Sequence, residues 1–213
     1  MEWVAANGSF ILGLMVTHIA VCLVPIVLGA VLGIVLARII PTRFAGATQG
    51  ILGSIYAIPS LALFVTLPVI IGTSFIGPTN VVVALTVYVI SSFYFSARDA
   101  FAQVPSASRV SASALGMNAR QVFFHVELPL AIPGLVAGLR VATASTLSIA
   151  SIAAVVGVRN LGYLFVDGFQ RKIPEEVVSG ILTILVLSLL LDFGLWLLGR
   201  VLAPWRRTRS ALV

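Results

Sequence analysis

Few residues in this chain are equipped for chemistry, and their spacing excludes more than it offers. The two histidines, His18 and His125, lie far apart, with no cysteine or carboxylate at ligand spacing, so a metal site is not expected. Glu127, two positions after His125, makes only a weak pattern, and each histidine is expected as a hydrogen-bonded interfacial residue. The one cysteine, Cys22, sits in an apolar run, which excludes an intrachain disulfide and leaves it as a small packing residue. The one lysine, Lys172, is followed by Ile173, so the phosphate loop G-x-x-x-x-G-K-[ST] cannot be built and ATP is not bound that way. Carboxylates able to serve a proton relay reduce to Asp192, with Asp99 at a helix end, too few for a proton-driven carrier. No nucleophile–base constellation remains, and the expectation is a non-catalytic protein.

The elements that hold these residues are apolar. Of 213 residues, 60% are hydrophobic and 9% charged, with mean hydropathy +1.13. A soluble domain carries about 25% charged residues, so the chain reads as an integral membrane protein. The spans are too long and too uniformly apolar for barrel strands, and backbone in lipid must satisfy its own hydrogen bonds, so the fold class is all-α. No basic residue precedes Arg38, so the first apolar block lacks the n-region of a signal peptide and is expected to remain as a span.

Charged and turn-forming residues divide the chain into five expected spans, at about 17–39, 50–71, 80–98, 130–158 and 177–198, in one transmembrane domain over 1–213. Asn7, Gly8 and Ser9 are assigned to a short outer segment. Gly72-Thr73-Ser74 and Gly77-Pro78-Thr79-Asn80 mark an uncharged outer hairpin tip. Arg140 interrupts the fourth span; it either snorkels to the interface, the favoured reading, or lines a polar cavity. The stretch 159–176 balances Arg159, Arg171 and Lys172 against Asp167, Glu175 and Glu176, as an outer loop would. Arg38, Arg43, Arg98, Arg109, Arg120, Arg140, Arg200, Arg206, Arg207 and Arg209 fall on the other face. The positive-inside rule makes that face cytoplasmic, with the N-terminus outside and the C-terminus inside. The net charge of +6 is therefore a topology signal and does not imply a nucleic-acid partner.

The polar stretch 104–134 stands between apolar blocks and reads as two short helices separated by a glycine. Pro105 suits a first helical turn, and Ser106 and Ser108 offer capping oxygens. Val110, Ala114 and Leu115 fall near one face with Ser111 beside them, and Ser111, Ala112, Ser113 and Ala114 are small enough to let another surface approach. Gly116 stops the first helix, and Asn118 caps a second in which Val122, Phe123 and Val126 form an apolar stripe. By composition alone this is a connecting loop.

The spacing adds more. Gly116 is followed by nine residues and then Val126-Glu127-Leu128-Pro129, which resembles the cytoplasmic loop of the membrane subunits of bacterial ABC importers. That family's motif is E-A-A, three residues, Gly, nine residues, Ile-x-Leu-Pro. Ala112 matches the second alanine, while Val110 stands for the usual Glu and Ser111 for the first alanine. Tyr56-Ala57-Ile58-Pro59-Ser60-Leu61-Ala62-Leu63-Phe64 resembles the second-span signature of the osmoprotectant branch, as do Arg98, Glu127-Leu128-Pro129-Leu130-Ala131 and the Gly157…Leu161-Gly162 region.

The resemblance implies an ABC type I importer permease in a bacterial inner membrane, with its coupling loop at 104–129. The implied partners are two ABC ATPase subunits, a second copy or related permease, an external or periplasmic substrate-binding protein, and lipid. No cofactor is expected on this chain; ATP and Mg belong to the ATPase. Ser108, Arg109, Val110, Ser111, Ala112, Ala114, Leu115 and Gly116 are the implied coupling residues, with Arg120 a further polar contact, and Val126, Leu128 and Pro129 close the motif. The implied cargo is glycine betaine, carnitine, choline or proline betaine. A quaternary ammonium is held best by aromatic faces, which makes Tyr56, Tyr88, Phe93 and Tyr94 candidate pathway contacts, or else plain packing residues. Pro59 and Pro68 are expected to kink or break the second span, placing Pro59 and Ser60 on the pathway wall. The alternatives are a permease for methionine or another amino acid, a stand-alone channel or secondary carrier, and a non-transporting scaffold.

Overall fold

The computed structural model describes residues 2–74 and 77–205, so the tail arginines Arg206, Arg207 and Arg209 lie outside the described residues. Among the described residues every element is helical: α1 (Glu2–Ala6), α2 (Gly8–Ile39), α3 (Ala45–Tyr56), α4 (Ser60–Ile71), α5 (Pro78–Ala102), α6 (Ser106–Ala114), α7 (Ala119–Val122), α8 (Leu128–Ser151), α9 (Tyr163–Arg171) and α10 (Pro174–Leu202).

Four runs are long and apolar enough to cross a membrane unaided: Gly8–Ile39, Pro78–Ala102, Ala119–Val156 and Pro174–Leu202. The first begins earlier than expected, because nothing in Gly8 or Ser9 stops a helix; both lie inside α2, and Asn7 precedes it. The expected span at 50–71 is not one helix. It is the pair α3 and α4, bent by 99°, and a fifth crossing exists only if that pair counts as one. Pro59 causes the break: it lacks an N–H, and it restricts the residue before it to extended backbone. Pro68, by contrast, is carried inside α4 without ending it.

At the hairpin tip Gly72 closes α4 with φ of 69°, and Pro78 opens α5 at its first turn. Asn80 ties the tip together, accepting from the Thr73 hydroxyl and donating to the Ser74 carbonyl at 2.6 Å.

The central element is α5, buried along its length at Val81, Leu85, Tyr88, Phe93, Tyr94 and Ala97. Small residues bring its neighbours close, as van der Waals packing between apolar helices requires. A Cβ on Gly29 or Gly33 of α2 would come within 2.5 Å of Val89 or 2.9 Å of Phe93, and one on Gly134 of α8 within 2.7 Å of Ala100. His18 is fully buried rather than interfacial, its Nε2 3.2 Å from the Leu147 carbonyl, so it joins α2 to α8. Cys22 packs in the same core.

The stretch 159–176 is not only a loop. It contains α9, which buries Leu164 and Gly168 against α10 and carries an Asp167–Arg171 ion pair of 3.0 Å on its surface. Asn160 organises the approach to it, donating to the Ala150 carbonyl at 2.7 Å and accepting from the Gly162 N–H at 2.8 Å. That pulls Gly162 so close to the Ser151 carbonyl oxygen that a Cβ there would collide with it.

Arg140 neither snorkels nor stands alone in a cavity. Its Nε and Nη2 each donate to one carboxylate oxygen of Asp192 at 2.6 Å, a bidentate pair that joins α8 to α10.

Candidate functional site

The segment α6–α7 hangs from the ends of three long helices. Its first helix does not begin as expected. Pro105 precedes it in an extended conformation, and neither Ser106 nor Ser108 supplies a capping side chain. Its end follows the expectation: Gly116 has φ of 82°, its N–H reaches the Ser113 carbonyl at 3.0 Å, and the Met117 N–H reaches Ala112 at 3.2 Å. This paired closure is a Schellman ending, and it needs the left-handed conformation that glycine adopts freely. Asn118 then caps α7 through a reciprocal bond pair with Gln121, at 3.0 and 2.9 Å.

The Val126-Leu128-Pro129 end of the motif is not a loop terminus. The chain stays helical from Ala119 to Val156 by way of a wider π-type turn over Phe123–Glu127. Pro129 follows directly on that wider turn, inside the continuous run, so the Leu-Pro pair enters a span and does not close the segment.

The two faces of α6 differ. Ala112 is buried, Ser108 and Arg109 are half-buried, and all three turn toward the bundle. The opposite face presents Ala107, Val110, Ser111, Ala114 and Leu115, with Val110 67% and Leu115 80% exposed. These positions follow helical spacing, so the exposed face is a continuous stripe of small and apolar groups.

Beneath α6 is a charged clasp. Glu127, only 6% exposed, meets Arg109 of α6 at 2.8 Å through one oxygen and Arg38 of α2 at 3.2 Å through the other. Arg109 also donates from Nη2 to the Phe101 carbonyl in the last turn of α5 at 2.7 Å, and the Arg38 guanidinium lies over the Phe123 ring at 5.4 Å. Glu127 thus ties α6 to α2 and to the start of α8, and Arg109 adds the tie to α5. Glu127 was legible only as a letter inside a motif. The signal that could have found it is an acid at the mouth of an apolar span, with arginines ending two other spans. Arg120 points elsewhere, its guanidinium 5.9 Å from the Phe124 ring.

The candidate pathway residues divide into two groups. Tyr56, Pro59, Ser60 and Tyr88 meet at the α3–α4 break. The Tyr88 hydroxyl donates to the Ile58 carbonyl that the break leaves unpaired, and Tyr56 and Tyr88 stand edge to face at 5.8 Å. Phe93 and Tyr94 do not join them; both are buried in the core, and the Tyr94 hydroxyl accepts from Arg98 at 3.4 Å.

Comparison with known proteins places this architecture. Residues 29–208 match the family described as binding-protein-dependent transport system inner membrane component. The chain belongs to that family. It is 29% identical over 209 residues to the choline transport system permease protein OpuBB of Bacillus subtilis, covering 96% of this chain and 94% of that one. It is 28% identical over 210 residues to the osmoprotectant import permease protein OsmW of Salmonella typhimurium, covering 96% and 97%. Its fold matches a chain of the inward-facing MetNI methionine ABC transporter with a TM-score of 0.74 at 22% identity, over 95% of this chain and 98% of that one. The protein is therefore a multi-pass inner-membrane permease subunit with an all-α importer fold.

Proposed function

We propose that this chain is the membrane subunit of an ATP-driven importer and forms part of the path for a quaternary-ammonium osmoprotectant such as glycine betaine, carnitine, choline or proline betaine. The observation that carries the reading is α6, whose outer face is small, apolar and exposed while its inner face is fastened to three spans through Arg109 and Glu127. Such a helix passes work done on another chain directly to the bundle. Val110 to Gly116 would form the docking face for an ABC ATPase that itself holds ATP and Mg. Arg38, Arg43, Arg98, Arg109, Arg120 and Arg200 supply a positive face on which α6 lies, which supports a cytoplasmic C-terminus and an outer N-terminus. A second permease would complete the path, and an external binding protein would deliver the cargo.

The named relatives support the substrate class, and the Tyr56–Tyr88 pair offers π-faces suited to weak contact with a quaternary ammonium. A methionine substrate is supported only by likeness of fold. The test is reconstitution in liposomes with the cognate ATPase and binding protein, followed by uptake of labelled glycine betaine, choline and methionine. ATP-dependent uptake of a betaine or choline is expected. Uptake by the chain without ATPase, or of methionine alone, would overturn the reading.

A further inference from the structure

A cavity of about 380 Å³ opens beside the Glu127 clasp, at the α6 end of the bundle. Arg38, Arg98 and Arg109 line it, together with apolar Ile40, Pro41 and Phe101. Glu127 is the one carboxylate that pairs with any of these arginines among the described residues, so three guanidinium groups face a single countercharge. Arg98 receives none of it; among the described residues its guanidinium meets the Ile40 carbonyl at 3.2 Å and the Tyr94 hydroxyl at 3.4 Å, and no carboxylate.

We propose that this cavity is a binding site for the phosphate headgroup of an anionic phospholipid. Three observations point to a lipid rather than a soluble anion. The cavity lies where the apolar helices α2 and α5 end, at Ile39 and Ala102, which is headgroup depth for a chain that crosses the bilayer. Its walls combine guanidinium groups with apolar side chains, so one molecule would satisfy both with a phosphate and the start of an acyl chain. Val31 and Val35, seven and three residues before Arg38 and on its helix face, are exposed, and they form an apolar track leading to the cavity. Basic pockets between membrane helices recognise acidic headgroups by this combination. The site stands on the membrane fold and not on the proposed cargo.

The test is native mass spectrometry of the full chain in detergent, titrated with phosphatidylglycerol, phosphatidylcholine or inorganic phosphate. The wild type is expected to retain phosphatidylglycerol selectively. Arg98→Ala should weaken that retention about fivefold, the effect of one basic residue at an anionic surface. Thr42→Glu places a carboxylate in the cavity from an exposed position, should abolish the selectivity, and guards against a fold defect in the arginine variant. Equal retention of the two lipids, or unchanged selectivity in both variants, would overturn the proposal. So would displacement of the lipid by millimolar inorganic phosphate, which would assign a soluble-anion site. If Thr42→Glu instead released the ATPase from the assembled transporter while lipid binding was absent throughout, the cavity would hold a protein carboxylate and the proposal would fall.

Discussion

Replacing Glu127 by glutamine removes one charge and little volume, so its effect isolates the clasp beneath α6. In the native protein the carboxylate is almost buried, and both its oxygens are used, at 2.8 Å to Arg109 and 3.2 Å to Arg38. Losing one partner of a fully buried pair costs about 3–5 kcal/mol, whereas an exposed pair is worth at most about 1. Here the acid is buried, but Arg109 and Arg38 keep 36% and 46% side-chain exposure and rehydrate when released. The expected cost therefore falls between these limits, at about 1–2 kcal/mol, or a factor of about 5–30 in the equilibrium that holds α6 against the spans. Arg109 would retain only the Phe101 carbonyl, so α6 should loosen while the bundle stays folded. ATP-dependent uptake in liposomes should fall, by at most that factor, with little change in the apparent Tm of the purified chain. The double variant Glu127→Gln/Arg109→Gln also loses the bond to the Phe101 carbonyl, but should cost clearly less than the sum of the two single variants. If the two effects on uptake simply added, within about 0.3–0.5 kcal/mol, the residues would not act as one unit and the clasp would be refuted.

Gly116→Trp should abolish ATPase association and uptake, because position 116 holds φ of 82° in the turn that ends α6; co-purification with the ATPase checks it. Gly162→Ala should lower the apparent Tm sharply, since the new Cβ meets the Ser151 carbonyl, and wild-type thermal stability would contradict that geometry. Arg140→Leu should destabilise the chain more than the paired Arg140→Leu/Asp192→Leu, because the single variant strands a carboxylate between α8 and α10; detergent-resistance assays on the two decide it. Tyr88→Phe removes the donor to the Ile58 carbonyl, a loss of about 1 kcal/mol, and should reduce betaine uptake while leaving ATPase association intact.

The large apolar blocks were legible because each exceeds the length needed to cross hydrocarbon, and Gly116 and Asn118 were legible because turn and cap chemistry is local. What the sequence hid was tertiary. Pro59 announces a break, but not that Tyr88, thirty residues on from Ile58, occupies the Ile58 carbonyl. Leu128-Pro129 reads as the close of a loop, since a proline at a helix boundary does not by itself say that a helical turn precedes it. Arg140 gives no local sign of its partner, which lies 52 residues away. His18 was placed at an interface, yet the carbonyl that satisfies it belongs to another span. Glu127 carried no sign of its burial, which depends on where the ends of α2, α5 and α8 meet.

The Arg140–Asp192 pair also constrains how the protein is made. The arginine leaves the ribosome 52 residues before its counterion. A guanidinium near the centre of a helix costs about 2.5–3.5 kcal/mol to insert, and during that interval the apolar residues of α8 offset it without help from Asp192. During synthesis α8 therefore carries the full cost of its charge until α10 arrives, and only then does the pair share it. A chain truncated before Asp192 leaves that arginine unpaired, and its fourth span should sit less securely in the membrane than in the full chain.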